Sequence, residues 1–215
     1  EGSRIWEQPM NTEYKQQFDS AGFFHAPALL AAAEAMELEE NLDRFIRDVV
    51  PAMDRKDAMH DDYTRPATLP QVAGMERDPW FDAFRRRPKF VQLAEEMLDG
   101  PVVSRGVQLF RKMPRTGSPT PPHQDGYYFC LVPNEALTIW IALDDVSAES
   151  GAVCYQAGSH RKGLRDHGGT GVLGFSQGLG ERDAADGEAV CCPVRRGDAL
   201  VHHSLTIHWA GANTS

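Results

Sequence analysis

Two short stretches restrict what this chain can fold into: Pro121-Pro122-His123-Gln124-Asp125-Gly126-Tyr127-Tyr128-Phe129, and the distant run His202-His203-Ser204-Leu205-Thr206-Ile207-His208. In an extended strand successive side chains alternate faces, so His123 and Asp125 point the same way and Gln124 points away. Two ligands hold a catalytic metal poorly, and the run ending at His208 offers a third. A His-x-Asp pair with one remote histidine forms a facial set that leaves coordination positions open. Any fold for this sequence therefore has to carry two remote segments to one point.

The texture of the chain indicates how. Residues 12–19 read as a short helix and 22–27 as a brief extended piece ended by Pro27, in which His25 is a packed or edge residue. From 28 to 50, Leu29, Leu30, Ala33, Met36, Leu42, Phe45, Ile46 and Val49 recur at the three-and-four spacing of an amphipathic helix, with the acidic run 37–40 on its solvated face. Residues 52–78 lack periodicity and read as a mobile loop or lid, so Asp54, His60, Asp61 and Asp62 are given no metal. A second helical region covers 79–99, with Gly100 as its cap. After Pro101 the pattern changes to short strands between turn residues: 102–113, 122–131, 137–143, 152–156, 188–194 and 199–208. Helices followed by many short strands predict a mainly β jelly roll flanked by α-helices, in one domain over 1–215 that divides near residue 100.

Other readings fall away. Gly169-Thr170-Gly171-Val172-Leu173-Gly174 fits the glycine pattern of a dinucleotide site. It follows polar Arg165-Asp166-His167 instead of a strand and leads into Gly178-Leu179-Gly180 instead of a helix, so it reads as a loop. A net charge of −9 and a pI near 5.3, with basic residues only in short bursts, argue against nucleic acid as a partner. No apolar run approaches the roughly 18 residues of a membrane span, and Glu1-Gly2-Ser3-Arg4 has no signal-peptide character, which predicts a cytoplasmic protein without a membrane partner. The four cysteines, Cys130, Cys154, Cys191 and Cys192, make no C-x-x-C pair and are expected to be reduced core thiols.

The carboxy-terminal half resembles the phytanoyl-CoA dioxygenase family. The resemblance is carried by His123-Gln124-Asp125, by Leu137-Thr138-Ile139-Trp140-Ile141-Ala142-Leu143-Asp144-Asp145, by Glu149-Ser150-Gly151-Ala152 leading to Ala157-Gly158-Ser159-His160, and by Gly197-Asp198-Ala199-Leu200 through His208-Trp209-Ala210-Gly211-Ala212-Asn213-Thr214-Ser215. The resemblance implies a double-stranded β-helix (jelly-roll, cupin-like) core holding Fe(II), with 2-oxoglutarate as co-substrate and O2 as oxidant. Such an enzyme hydroxylates a small molecule and releases succinate and CO2. The resemblance also selects His208 as the distal metal ligand, beside His123 and Asp125. On one extended strand His202 lies roughly 20 Å from His208, so the two are not expected to share an ion; His202 and His203 become core residues or supporting groups.

The same resemblance puts Thr138 and Trp140 beside the co-substrate, with Lys112 and Gln108 lining the pocket from the preceding strand. Tyr127, Tyr128 and His160 are substrate-side candidates. Two departures stand out: Ala210 occupies a position where the family usually has serine, and the sequence stops at Ser215, before the arginine expected about eleven residues after the distal histidine. The chain is expected to lack its final strand, the alternatives being that another base such as Lys112 substitutes or that 2-oxoglutarate is not used. The alternative is a cupin-like metalloenzyme or metal-binding protein that does not use 2-oxoglutarate.

Overall fold

Proline, glycine and acidic caps punctuate the amino-terminal half. In the computed structural model, which describes residues 9–65, 67–115, 118–180 and 188–215, helix α1 (Pro9–Ala21) leads through Gly22 into strand β1 (Phe23–Ala26). Gly22 has φ +85°, and a Cβ there would collide with His160 and Thr206, so only glycine makes this turn without strain. The start Glu1–Arg4, and with it the expectation about a leader, lies outside the described residues.

Helix α2 (Ala32–Asp48) buries Ala35, Leu38, Leu42 and Phe45 along one face. Each large apolar side chain so buried is worth about 1.5–3 kcal/mol, which outweighs the acidic residues on the other face. The helix is shorter than its periodicity predicts because residues 28–31 turn instead: Ala28 takes φ +48°, with its N–H donated to Asp198. The predicted helix over 79–99 is two helices, α3 (Pro79–Arg85) and α4 (Pro88–Met97), since Pro88 starts a new one. Asp78 caps α3 by accepting the N–H groups of Trp80 and Phe81, and pairs with Arg44 at 2.8 Å. The left-handed position after α4 belongs to Asp99, at φ +55°, and not to Gly100.

Residues 52–78 are not a bare loop. They contribute β2 (Ala58–Met59) and β3 (Gln71–Val72), which join β4 (Leu109–Phe110) in a three-stranded antiparallel sheet. Ala58, Leu69, Val72 and Leu109 are buried in the helical core. Strands of two residues carry no readable alternation, which is why the sequence did not signal them.

The jelly roll follows. Strand β5 (Thr120–His123) gives way to a short helix, α5 (Asp125–Phe129), and then come β6 (Leu137–Ile141), β7 (Val153–Gln156), β8 (Gly168–Val172), β9 (Phe175–Gly178), β10 (Ala189–Cys192), β11 (Ala199–His203) and β12 (His208–Ala210). One sheet has the order β1-β11-β6 and the other β10-β7-β12-β5, both antiparallel. In the first sheet Phe24, Ala26, Ala199 and Val201 pack on the helices. The alternate residues Phe23, Trp140 and Leu200 pack with Tyr155 of β7 in a second, inner cluster.

The expected strand over 102–113 shrinks to β4, and three further readings are corrected. The strand over 122–131 ends at His123, where α5 begins. The strand over 199–208 breaks at a turn closed by the Thr206 N–H on the His203 carbonyl, so β11 and β12 lie in different sheets. The glycine-rich 169–174 stretch forms the turn of the β8–β9 hairpin, with Gly171 and Gly174 at positive φ; strand β9 follows it directly, where the rejected dinucleotide reading required a helix. The thiols differ too: Cys154 and Cys191 are register partners across β7 and β10 and form a disulfide, while Cys130 and Cys192 are free. Antiparallel pairing places them opposite each other, which spacing along the chain does not reveal. Among the described residues no helix is long and apolar enough to cross a membrane.

Candidate metal centre

His123 ends β5 and His208 opens β12, and the two are direct register partners. The backbone stays extended through Gln124 (φ −121°, ψ 126°), so His123 and Asp125 share a side although Asp125 begins a helix. Gln124 is fully buried on the other side. Its amide donates to the carbonyls of Gly163 (3.0 Å) and Leu205 (2.6 Å), and its Oε1 accepts the Arg165 N–H (2.8 Å). The middle residue of the motif thus anchors the two flanking ones.

The imidazoles are oriented from behind. His123 Nδ1 is 2.9 Å from the Pro121 carbonyl and His208 Nδ1 is 3.0 Å from the Thr206 carbonyl. A carbonyl only accepts, so each Nδ1 carries a proton, and in a neutral ring Nε2 is left with the lone pair that a metal takes. Those nitrogens lie 3.6 Å and 3.7 Å from Asp125 Oδ1, and the three ligand atoms all fall within 4.8 Å of one another. Burial alone would raise the Asp125 pKa; His208, His123 and His202 outweigh it and hold the carboxyl well below its usual range. Burial, reinforced by His123 and His202, pushes the His208 pKa well below 6.5. A carboxylate and neutral imidazoles are the protonation states that a divalent metal needs.

His202 is closer than the sequence predicts. The turn after β11 sets the His202 ring 4.4 Å from that of His208, and His202 Nε2 is 3.1 Å from Asp125 Oδ2. The separation along one strand does not apply because the two residues stand on different strands. Thr138, the register partner of His202, donates its hydroxyl to the same Oδ2 at 2.6 Å. That hydroxyl, expected on the co-substrate, serves the carboxylate ligand here.

The other predicted residues are dispersed. Trp140 packs half-buried against the inner cluster. Lys112 donates to the carbonyls of Ala210 (3.2 Å) and Gly211 (2.5 Å), and burial lowers its amine pKa to about 8. Gln108 is exposed just before β4, outside the strand that was to carry it. Tyr128 approaches the His123 ring edge-on at 6.1 Å, and Tyr127 stacks on His167 at 4.2 Å. His160 is elsewhere: its ring is 5.5 Å from His203, which points to the opposite face of β11 from His202, and its Nε2 is 3.2 Å from the Asp19 carbonyl. Sequence reasoning missed Phe175 of the hairpin, 4.9 Å from the His123 ring, and Phe110, 5.6 Å from Phe175. Nothing in their local pattern marks them, since only the fold-back of β8–β9 brings them over β5.

A jelly roll that presents two imidazole nitrogens from adjacent strands and one carboxylate oxygen from the turn just after the first of them is the architecture of the cupin-fold oxygenases. The chain belongs to the phytanoyl-CoA dioxygenase (PhyH) family, which residues 18–215 match. It is 31% identical over 145 residues to the phytanoyl-CoA dioxygenase domain-containing protein 1 of Danio rerio, a match covering 64% of this chain and 49% of that protein. The chain thus spans about half the length of the curated relatives it matches. Among solved structures it resembles the non-heme alpha ketoglutarate dependent carbocyclase SnoK from nogalamycin biosynthesis, with 25% identity, a TM-score of 0.73, and coverage of 94% of this chain and 78% of that one. It also resembles EvdO2 from Micromonospora carbonacea var. aurantiaca complexed with 2-oxoglutarate, with 25% identity, a TM-score of 0.69, and coverage of 94% and 84%.

Proposed function

We propose that this chain forms the catalytic jelly roll of an Fe(II)- and 2-oxoglutarate-dependent dioxygenase that hydroxylates an unactivated C–H bond of a small molecule. The observation that carries this reading is the ligand set itself: two imidazoles with Nδ1 committed to carbonyls, and one carboxylate, all within 4.8 Å. This donor set fits a hard-to-borderline divalent ion and leaves open positions on it. Iron bound there supplies O2 activation coupled to decarboxylation of 2-oxoglutarate to succinate and CO2.

The side chains then bind and orient. His123, Asp125 and His208 hold the ion. Trp140 and Lys112 are assigned to the co-substrate, Lys112 because its ammonium lies against the carbonyl of Ala210, the last residue of the short strand that begins with His208. Phe175, Tyr128 and Tyr127 form the aromatic side over which a substrate carbon skeleton is placed. The similarity to SnoK, which depends on alpha ketoglutarate, and to EvdO2, which binds 2-oxoglutarate, supports the same reading.

One observation favours a second reading, a metal protein that does not use 2-oxoglutarate: the Thr138 hydroxyl is already engaged by Asp125. Aerobic incubation of the Fe(II)-loaded intact protein with 2-oxoglutarate separates the two. Succinate and CO2 release that disappears in Asp125→Ala is expected. Iron binding without 2-oxoglutarate consumption would favour the second reading.

A further inference from the structure

We infer that His202 is a positioning residue: together with Thr138 it holds the outer oxygen of Asp125 so that the carboxylate offers a single oxygen to the ion, and Tyr155 fixes His202 in the tautomer that does this. The inference rests on the metal reading above. It does not need 2-oxoglutarate.

The hydrogen-bond directions follow from atom types. Asp125 Oδ2, on an ionised carboxylate, can only accept; it receives the Thr138 hydroxyl at 2.6 Å and faces His202 Nε2 at 3.1 Å, so that nitrogen carries the proton. In a neutral imidazole Nδ1 is then a bare acceptor, and the Tyr155 hydroxyl, 3.0 Å away, is its donor. Tyr155 and His202 are 0% and 2% exposed. On the same inner face Phe23, stacked on Tyr155 at 4.3 Å, and Leu200 are apolar. An imidazole in such surroundings is costly unless both nitrogens are satisfied, and here both are.

With Oδ2 occupied twice, Oδ1 alone faces His123 and His208, at 3.6 Å and 3.7 Å. A carboxylate that rotated to ligate through both oxygens would abandon both donors and take a coordination position that the reaction needs. His202 stands outside the ligand group itself, which comprises His123, Asp125 and His208. Its contribution is therefore exerted through Asp125.

The test is anaerobic titration of the metal-free intact protein with Co(II), reading affinity and the visible d–d spectrum. His202→Phe, which keeps a flat ring and removes the donor, is expected to bind Co(II) roughly 10–100-fold more weakly and to change the spectrum. His202→Gln, whose amide can still donate, is expected to recover most of both. Tyr155→Phe removes one hydroxyl and is expected to weaken binding by roughly tenfold or less. Wild-type affinity and an unchanged spectrum in both His202→Phe and Tyr155→Phe would overturn the inference. A reading independent of variant folding is the 15N NMR pattern of the His202 ring, where a neutral ring protonated on Nε2 is expected and one protonated on Nδ1 would overturn it. If the wild-type protein bound neither Co(II) nor Fe(II), the metal reading would fail first, visibly apart from any result on His202.

Discussion

Individual residues at this centre are set by what lies behind them. His123 and His208 are aimed by carbonyls two residues upstream, Asp125 by Thr138 and His202, and Gln124 by contacts that lock the backbone between the first two ligands. The charge of Lys112 depends on pH near the physiological range. Burial brings its amine pKa down from 10.5 to about 8, so the folded protein gives up that proton earlier than a free lysine. If Lys112 pairs with the co-substrate carboxylate as proposed, deprotonation removes the attraction. The Michaelis constant for 2-oxoglutarate is therefore expected to climb as pH passes about 8. Lys112→Met should show weak binding at all pH values and no such climb; an unaltered profile in that variant would remove Lys112 from the site. The ligand pair His123 and Asp125 was legible in the sequence because the backbone between them is extended, as alternation requires. The closeness of His202 to His208 was missed because Ser204-Leu205-Thr206 turns the chain without glycine or proline.

At the scale of elements, legibility follows length and punctuation. Helix α2 could be read because four buried positions repeat along it, whereas β2, β3 and β4 have two residues each and no period to detect. The cap of α3 is legible in Asp78-Pro79, whereas its pairing with Arg44, 34 residues away, is not. Replacing Asp78 by alanine strips that cap and the ion pair, and should lower the unfolding free energy by about 1–2 kcal/mol. A urea midpoint shifted down with an unchanged slope is the expected signature. The β8–β9 hairpin plays a different part, as it places Phe175 against His123 without contributing a ligand. Phe175→Ala should leave Co(II) affinity within about threefold while raising the substrate's Michaelis constant several-fold, by loss of a stacking contact of about 1 kcal/mol. An equal loss of metal affinity would make Phe175 a support of His123 instead.

The whole molecule is a helical layer laid on one face of a two-sheet roll, with the ligands where β5 and β12 meet and the supporting residues His202 and Thr138 on the facing sheet. Metal binding should therefore stabilise the folded chain as a unit. At free Co(II) about 100 times its dissociation constant, the unfolding free energy is expected to rise by about 2.7 kcal/mol. Differential scanning of metal-free and loaded protein would register this as a raised midpoint, and Asp125→Ala should abolish the difference. The fold class was legible because helices followed by short strands leave few architectures, whereas the Cys154–Cys191 pairing depended on register between strands remote in sequence.

The central claim, that this roll binds iron and then 2-oxoglutarate, meets its most direct test in an anaerobic titration of the intact protein with Fe(II) followed by 2-oxoglutarate. A visible charge-transfer band that grows with the co-substrate and is absent from His208→Ala is the expected result. Iron bound by His123, Asp125 and His208 with no band at any 2-oxoglutarate concentration would contradict it.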